Sequence, residues 1–244
     1  MKTPVAVLAS GEGTTAEALI CAGLKGEIDC EVGLVISSSE SARVIRRVEE
    51  VNNRYGSRVA TAYVGRRSHP PALEESLGPG DQSVAEAAAI ESLLEHGGFE
   101  VVVLMGYLKR VAPRLVHLFG WRNEYASPYE ARMLNIHPGP LPATKGLFGL
   151  AVQRQVLECD LSDAGHVVHV VAREYDDGPI VFEQKTAVLA SDTLETLSER
   201  IKTLQRREVP RVIDEFARRR RRYLETTAAR EPPPGSLPQP IGSS

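Results

Sequence analysis

The sequence predicts a single α/β domain: a mostly parallel, Rossmann-like sheet with helices on its flanks. Three observations carry that expectation. Short apolar runs alternate with helical stretches along much of the 244 residues, the pattern of right-handed βαβ units. The run Val101-Val102-Val103-Leu104 has no polar position, as a strand covered on both faces requires. Gly11-x-Gly13-x-x-Ala16 falls between an apolar run and a helical one, the context in which such a turn closes a strand and opens a helix.

Taken in order, Val5 to Ala9 reads as the first strand, residues 10–15 as the turn, and Ala16 onward as a helix. Val32 to Ile36 is a second strand ending in three serines, residues 37–39; an amphipathic helix follows from Ala42 to Val51, then a strand near Val59 to Val64. Residues 65–82, with His69-Pro70-Pro71 and Gly78-Pro79-Gly80, hold too many breakers for a regular element and read as a surface insertion. Ser83 caps a helix to about His96, and Pro113 suits the first turn of a short helix. A polar stretch, 123–131, leads to a strand from Met133 to Ile136.

The three prolines of His137-Pro138-Gly139-Pro140-Leu141-Pro142 then force a rigid loop at that strand's carboxyl end. A helix from Leu147 to Glu158 and strands from Gly165 to Ala172 and Ile180 to Val188 follow, the strands joined by a turn over 175–179. A long helix from Leu194 to about Leu224, broken near Pro210, completes a domain of residues 1–224. Residues 225–244, with Pro232-Pro233-Pro234, read as a disordered tail.

A net charge of -3, with 42% apolar and 25% charged residues, is that of a soluble globule without a global nucleic-acid footprint. No apolar run approaches the roughly 20 residues of a membrane helix. Cys21, Cys30 and Cys159 are scattered, which argues for a reducing cytoplasm and against a disulfide framework or structural zinc. The basic run Arg218 to Arg222 surrounds its helix and reads as a solvated face, with RNA binding as the alternative.

Two segments carry chemistry. The glycine turn offers the free N–H groups of a helix N-terminus at Gly13, Thr14 and Thr15, an anion site suited to a phosphate. Glu12 opposes it, and a tight turn that binds nothing is the alternative. NAD would want an acid at the end of the second strand, where serines stand; NADP survives through Ser39 and Arg43.

The second segment is Asn135 and His137, two apart at a strand end and so on one side. The amide can donate to an oxyanion while the imidazole moves protons. Asp176, in a turn, supplies a carboxylate that would raise the histidine pKa. His166 and His169 fall on opposite faces of one strand, so they are no metal pair; His169 lines the site, and His69, His96 and His117 read as surface residues.

Leu8-Ala-Ser-Gly-Glu-Gly-Thr-Thr, Val103-Leu-Met-Gly-Tyr-Leu-Lys-Arg, Leu134-Asn-Ile-His-Pro-Gly-Pro-Leu-Pro, Gly165-His-Val-Val-His and Asp176-Asp-Gly-Pro occur in that order. With these motifs the chain resembles the folate-dependent formyltransferase family over about residues 3–224. The resemblance implies that 10-formyltetrahydrofolate is the donor and 5-phosphoribosylglycinamide of purine synthesis the acceptor, with no metal. It implies a catalytic Asn135, His137 and Asp176, and an acceptor phosphate at Gly13, Thr14 and Thr15. Lys202, Thr203, Leu204 and Gln205 would touch the acceptor. Leu108, Lys109, Arg110 and Val111, with Ala172, Arg173, Glu174 and Tyr175, would hold the folate.

Thr15 stands where the family commonly has Asn, Gln205 where it has Glu, Gly139 where it has Ser and Phe148 where it has His. The implied reaction is direct attack of the amine on the formyl carbon, with Asn135 and a charged His137 holding the oxyanion. Asp176 would keep His137 charged and order a relaying water. The implied partners are small molecules, with no nucleic acid or membrane, for a cytoplasmic monomer or homodimer. The alternatives are a sibling acting on a sugar-nucleotide amine or other primary amine, a sibling acting on methionyl-tRNA (which usually carries a further C-terminal domain), and an NADP-binding Rossmann protein.

Overall fold

The computed structural model describes residues 2–229. Seven strands form one sheet: β1 (Thr3–Leu8), β2 (Cys30–Ser37), β3 (Ala60–Tyr63), β4 (Val101–Leu104), β5 (Met133–His137), β6 (Asp163–Val170) and β7 (Ile180–Ala187). Their order is β3-β2-β1-β4-β5-β6-β7. The first five run parallel, while β6 pairs antiparallel with β5, and β7 with β6. The strand order therefore reverses between β1 and β4, and the crevice beyond the carboxyl ends there is the usual ligand position of an open α/β sheet.

The helices are α1 (Thr14–Leu24), α2 (Arg43–Tyr55), α3 (Val84–His96), α4 (Pro113–Phe119), α5 (Leu150–Glu158) and α6 (Leu194–Ala228). Two apolar layers sandwich the central strands, because alternate residues of β1 and β4 face opposite ways. Val5, Val7, Val101 and Val103 pack with α1, α2 and α6, whereas Ala6, Leu8, Val102 and Leu104 pack with α3 and α4. Every residue of β4 is buried, which accounts for its unbroken apolar run.

Three features of α5 and α6 differ from the sequence expectation. α5 begins at Leu150 instead of Leu147, because Gly149 takes φ 58 and ψ -138, which no helix accommodates. α6 continues unbroken through Pro210. A helix-interior proline costs about 3 kcal/mol, but Val209, Ile213, Phe216 and Ala217 on either side are buried in the core, and that packing holds the axis. The helix also extends past Leu224 to Ala228; tail residues 230–244 lie outside the described residues.

The arginine run fastens this last stretch. Arg218 pairs with Asp214, Arg219 bonds Glu215 and Tyr129, Arg220 donates to the Ala131 carbonyl, and Arg221 donates to the Thr3 hydroxyl. Three of the five arginines thus reach past their own helix to the rest of the chain. Residues 65–82 contain no helix or strand beyond one bridge between Asp81 and Arg110. Their far end is nonetheless anchored: the Arg110 N–H donates to Gly80, and buried Gln82 joins the Tyr107 hydroxyl to the Ala112 N–H.

Candidate active site

The three elements that the topology brings together at the carboxyl edge are the turn after β1, the loop after β4 and the end of β5. Between them lies a cavity of about 310 Å³, with α6 along one wall. Asn135, His137 and Asp176 all line it. Asn135 and His137 project from β5 on one face, as their spacing requires. Asp176 arrives from the loop after β6, held at a φ of 52 that few non-glycine residues adopt.

His137 is 3% exposed. Its Nδ1 lies 3.4 Å from Asp176 Oδ2, and its Nε2 lies 2.8 Å from the Thr144 hydroxyl. The same Asp176 oxygen accepts from the Gly146 N–H at 3.0 Å, which ties the proline-rich loop to the Asp176 turn. Asp176 Oδ1 accepts from the Asn135 amide at 3.3 Å and stands 3.4 Å from His169 Nε2. The Asn135 amide also donates to His169 Nε2 at 3.0 Å, while His169 Nδ1 donates to the Val170 carbonyl. Asn135 therefore holds both its amide hydrogens on protein partners.

His169 is not among the residues that line the cavity, contrary to the sequence expectation; it stands behind Asn135 and Asp176, bonded to the first and 3.4 Å from the second. It lies directly across the β5–β6 ladder from Asn135, a register that only the antiparallel pairing creates. Thr144 had no sequence signal at all, since loop closure alone brings it to the imidazole. His166, on the opposite face of β6, is buried against Phe182, and neither ring nitrogen finds a hydrogen-bond partner among the described residues.

Electrostatics correct one expectation. Burial pushes the His137 pKa down, and although Asp176 pulls it up, the net direction is below 6.5. The resting imidazole is neutral at pH 7. For Asp176, burial raises the carboxyl, but His169, His137 and the Gly146 N–H together outweigh it and hold the group below the ordinary carboxylate range. The site thus presents a neutral base beside a firmly ionised acid.

At the glycine turn, Gly13 is the N-cap of α1 with φ 74 and no side chain capping the helix, so Thr14 and Thr15 present the helix N-terminus to the cavity. The Glu12 carboxylate pairs with Arg43 at 3.0 Å, which offsets its charge at the turn. That pair also occupies the arginine on which the NADP alternative depends.

The remaining expected positions divide. Lys202 and Gln205 line the cavity with Ser198 and Ile201, one face of α6. Thr203 and Leu204 fall off that face: Thr203 accepts from Arg206, and Leu204 packs in a separate apolar cluster. Leu108 and Tyr175 line the cavity, whereas Arg110, Val111, Arg173 and Glu174 line a neighbouring groove of about 1010 Å³ beneath the insertion. Ala172 lines neither cavity nor groove, and Lys109 turns inward to a fully buried Glu86. Among the described residues no group of three or more His, Cys, Asp or Glu is placed to hold a metal ion.

A switch-point crevice lined by a helix N-terminus, an amide, an imidazole and a carboxylate is the arrangement of an α/β enzyme acting on small molecules. The chain belongs to the formyl transferase family, whose model matches residues 3–213. It is 28% identical to the phosphoribosylglycinamide formyltransferase of Escherichia coli, over 95% of this chain and 97% of that one. It is 30% identical to the trifunctional purine biosynthetic protein adenosine-3 of Gallus gallus, over 86% of this chain but only 18% of that longer protein. The solved glycinamide ribonucleotide transformylase 1 of Symbiobacterium toebii superposes with a TM-score of 0.72 at 32% identity, over 89% of this chain and 88% of that one.

Proposed function

We propose that this protein transfers the formyl group of 10-formyltetrahydrofolate to the amine of 5-phosphoribosylglycinamide, a step of purine synthesis. The observation that carries this reading is the convergence of Asn135, His137 and Asp176 on one cavity that also receives Gly13, Thr14 and Thr15. A phosphate at the head of α1 would lie across the cavity from the imidazole, which suits an acceptor with a phosphate at one end and an amine at the other. Lys202 and Gln205 flank that path from α6, while Leu108 and Tyr175 offer exposed apolar surface to the flat donor.

The amine nitrogen attacks the formyl carbon, and the carbonyl becomes a tetrahedral oxyanion that the Asn135 amide stabilises. Neutral His137 takes the proton that the nitrogen sheds, and Asp176 stabilises the imidazolium as it forms. That proton then passes to the folate nitrogen as its bond to the formyl carbon breaks, which returns His137 to neutrality. No covalent enzyme intermediate is needed. Small-molecule partners and a cytoplasmic setting, in keeping with three unpaired cysteines, belong to the same reading. The described residues contain no helix long and apolar enough to cross a membrane.

The test is release of tetrahydrofolate with the glycinamide ribonucleotide against a sugar-nucleotide amine, at matched concentrations. Preference for the ribonucleotide is expected. Preference for the sugar nucleotide would reassign the acceptor and leave the chemistry standing.

A further inference from the structure

The mechanism leaves open how a buried imidazole presents the correct nitrogen to the substrate. Thr144, itself 0% exposed, answers that from hydrogen-bond counting. A threonine hydroxyl has one proton. Its Oγ1 lies 2.9 Å from the Pro140 carbonyl, which can only accept, so the proton goes there. Toward His137 Nε2, at 2.8 Å, the same oxygen must therefore accept.

We infer that Thr144 is a positioning residue that locks neutral His137 in its Nε2–H tautomer and leaves Nδ1 as the one nitrogen that gains and loses the transferred proton. This rests on the reading of His137 as the proton carrier. Nδ1 is the nitrogen that faces Asp176 Oδ2, so a proton arriving there meets the carboxylate at once. Were the tautomer reversed, Nδ1–H would already point at Asp176 and the Nε2 lone pair would meet the lone pairs of a Thr144 oxygen whose proton is committed to Pro140. Which ring nitrogen carries the proton is set by the partner of the other, and here that partner is Thr144.

Gly139 belongs to the same device. A Cβ at this position would lie 2.5 Å from Thr144 Oγ1 and 2.3 Å from Val152 Cγ1. Neither neighbour is the end of a long flexible chain, so only glycine leaves the hydroxyl in place. Gln153 donates to the Pro138 carbonyl at 2.7 Å and pins the start of the loop to α5. The rigid proline-rich segment is thereby a mount for one hydroxyl.

The direct test reads the imidazole nitrogens of His137 by ¹⁵N NMR in the wild-type protein at a pH where the ring is neutral. A protonated Nε2 and bare Nδ1 are expected; a protonated Nδ1 overturns the inference whatever any variant does. Kinetics supply the second arm. Thr144→Val should lower kcat by about tenfold to a hundredfold, the scale on which partners that orient functional imidazoles act, with KM for both substrates unchanged. Thr144→Ser should restore it, and Gly139→Ala should mimic the valine variant. Wild-type kcat in Thr144→Val also overturns it. An active His137→Ala would instead sink the proton-carrier reading, and leaves the tautomer measurement to stand separately.

Discussion

In the proposed mechanism His137 starts from surroundings that withhold charge from it, and this makes pH a sensitive probe of its role. Burial lowers its pKa and Asp176 partly restores it. The base form is required, so kcat/KM should fall on the acid side along a limb centred below 6.5. In Asp176→Asn the upward pull is gone, so the limb should move to still lower pH while the plateau drops, since the imidazolium loses its partner. A limb above 6.5, or one that Asp176→Asn leaves in place, would contradict that electrostatic picture. Asn135→Ala removes the oxyanion donor and should cost about 100- to 1,000-fold in kcat, with acceptor KM little changed.

At the scale of elements, the turn after β1 depends on one residue. Gly13 combines φ +74 with an approach in which a Cβ would sit 2.5 Å from Val44 Cγ2 and 2.7 Å from its Cα. Gly13→Ala should therefore cost at least the roughly 1–2 kcal/mol of a left-handed alanine, push α2 away from α1, and raise acceptor KM more than donor KM. Steady-state kinetics in both substrates checks this, and equal effects on the two would refute a phosphate role for the turn. The strand-turn-helix order and the Asn135–His137 spacing were legible because they are local. Asp176 was legible as a turn carboxylate. The parts that were not are those that tertiary contact creates: the β5–β6 register that sets His169 opposite Asn135, the loop that carries Thr144, and the core that overrides Pro210 in α6. The Arg218–Arg222 run was ambiguous for the same reason, since its partners Asp214, Tyr129, Ala131 and Thr3 include residues far away in sequence.

Across the whole molecule, one buried group links stability to acidity. His166 is 1% exposed, and burial lowers its pKa to about 4, with Glu208 pulling weakly the other way. Between pH 6.5 and about 4 the unfolded chain binds a proton that the folded chain refuses, so stability is full above 6.5 and declines as pH falls through that window. The urea midpoint should thus fall more between pH 7 and pH 5 in the wild type than in His166→Val. Equal falls would show that another group carries the dependence.

In the proposed mechanism formyl transfer takes place in the crevice at the sheet's switch point, with His137 as its proton carrier. Single-turnover formation of the formylated ribonucleotide by wild-type protein and by His137→Ala, both saturated with donor and acceptor, tests this most directly. A loss of about 100-fold or more is predicted, on the scale of general acid–base catalysis; a rate near that of the wild type would contradict the assignment.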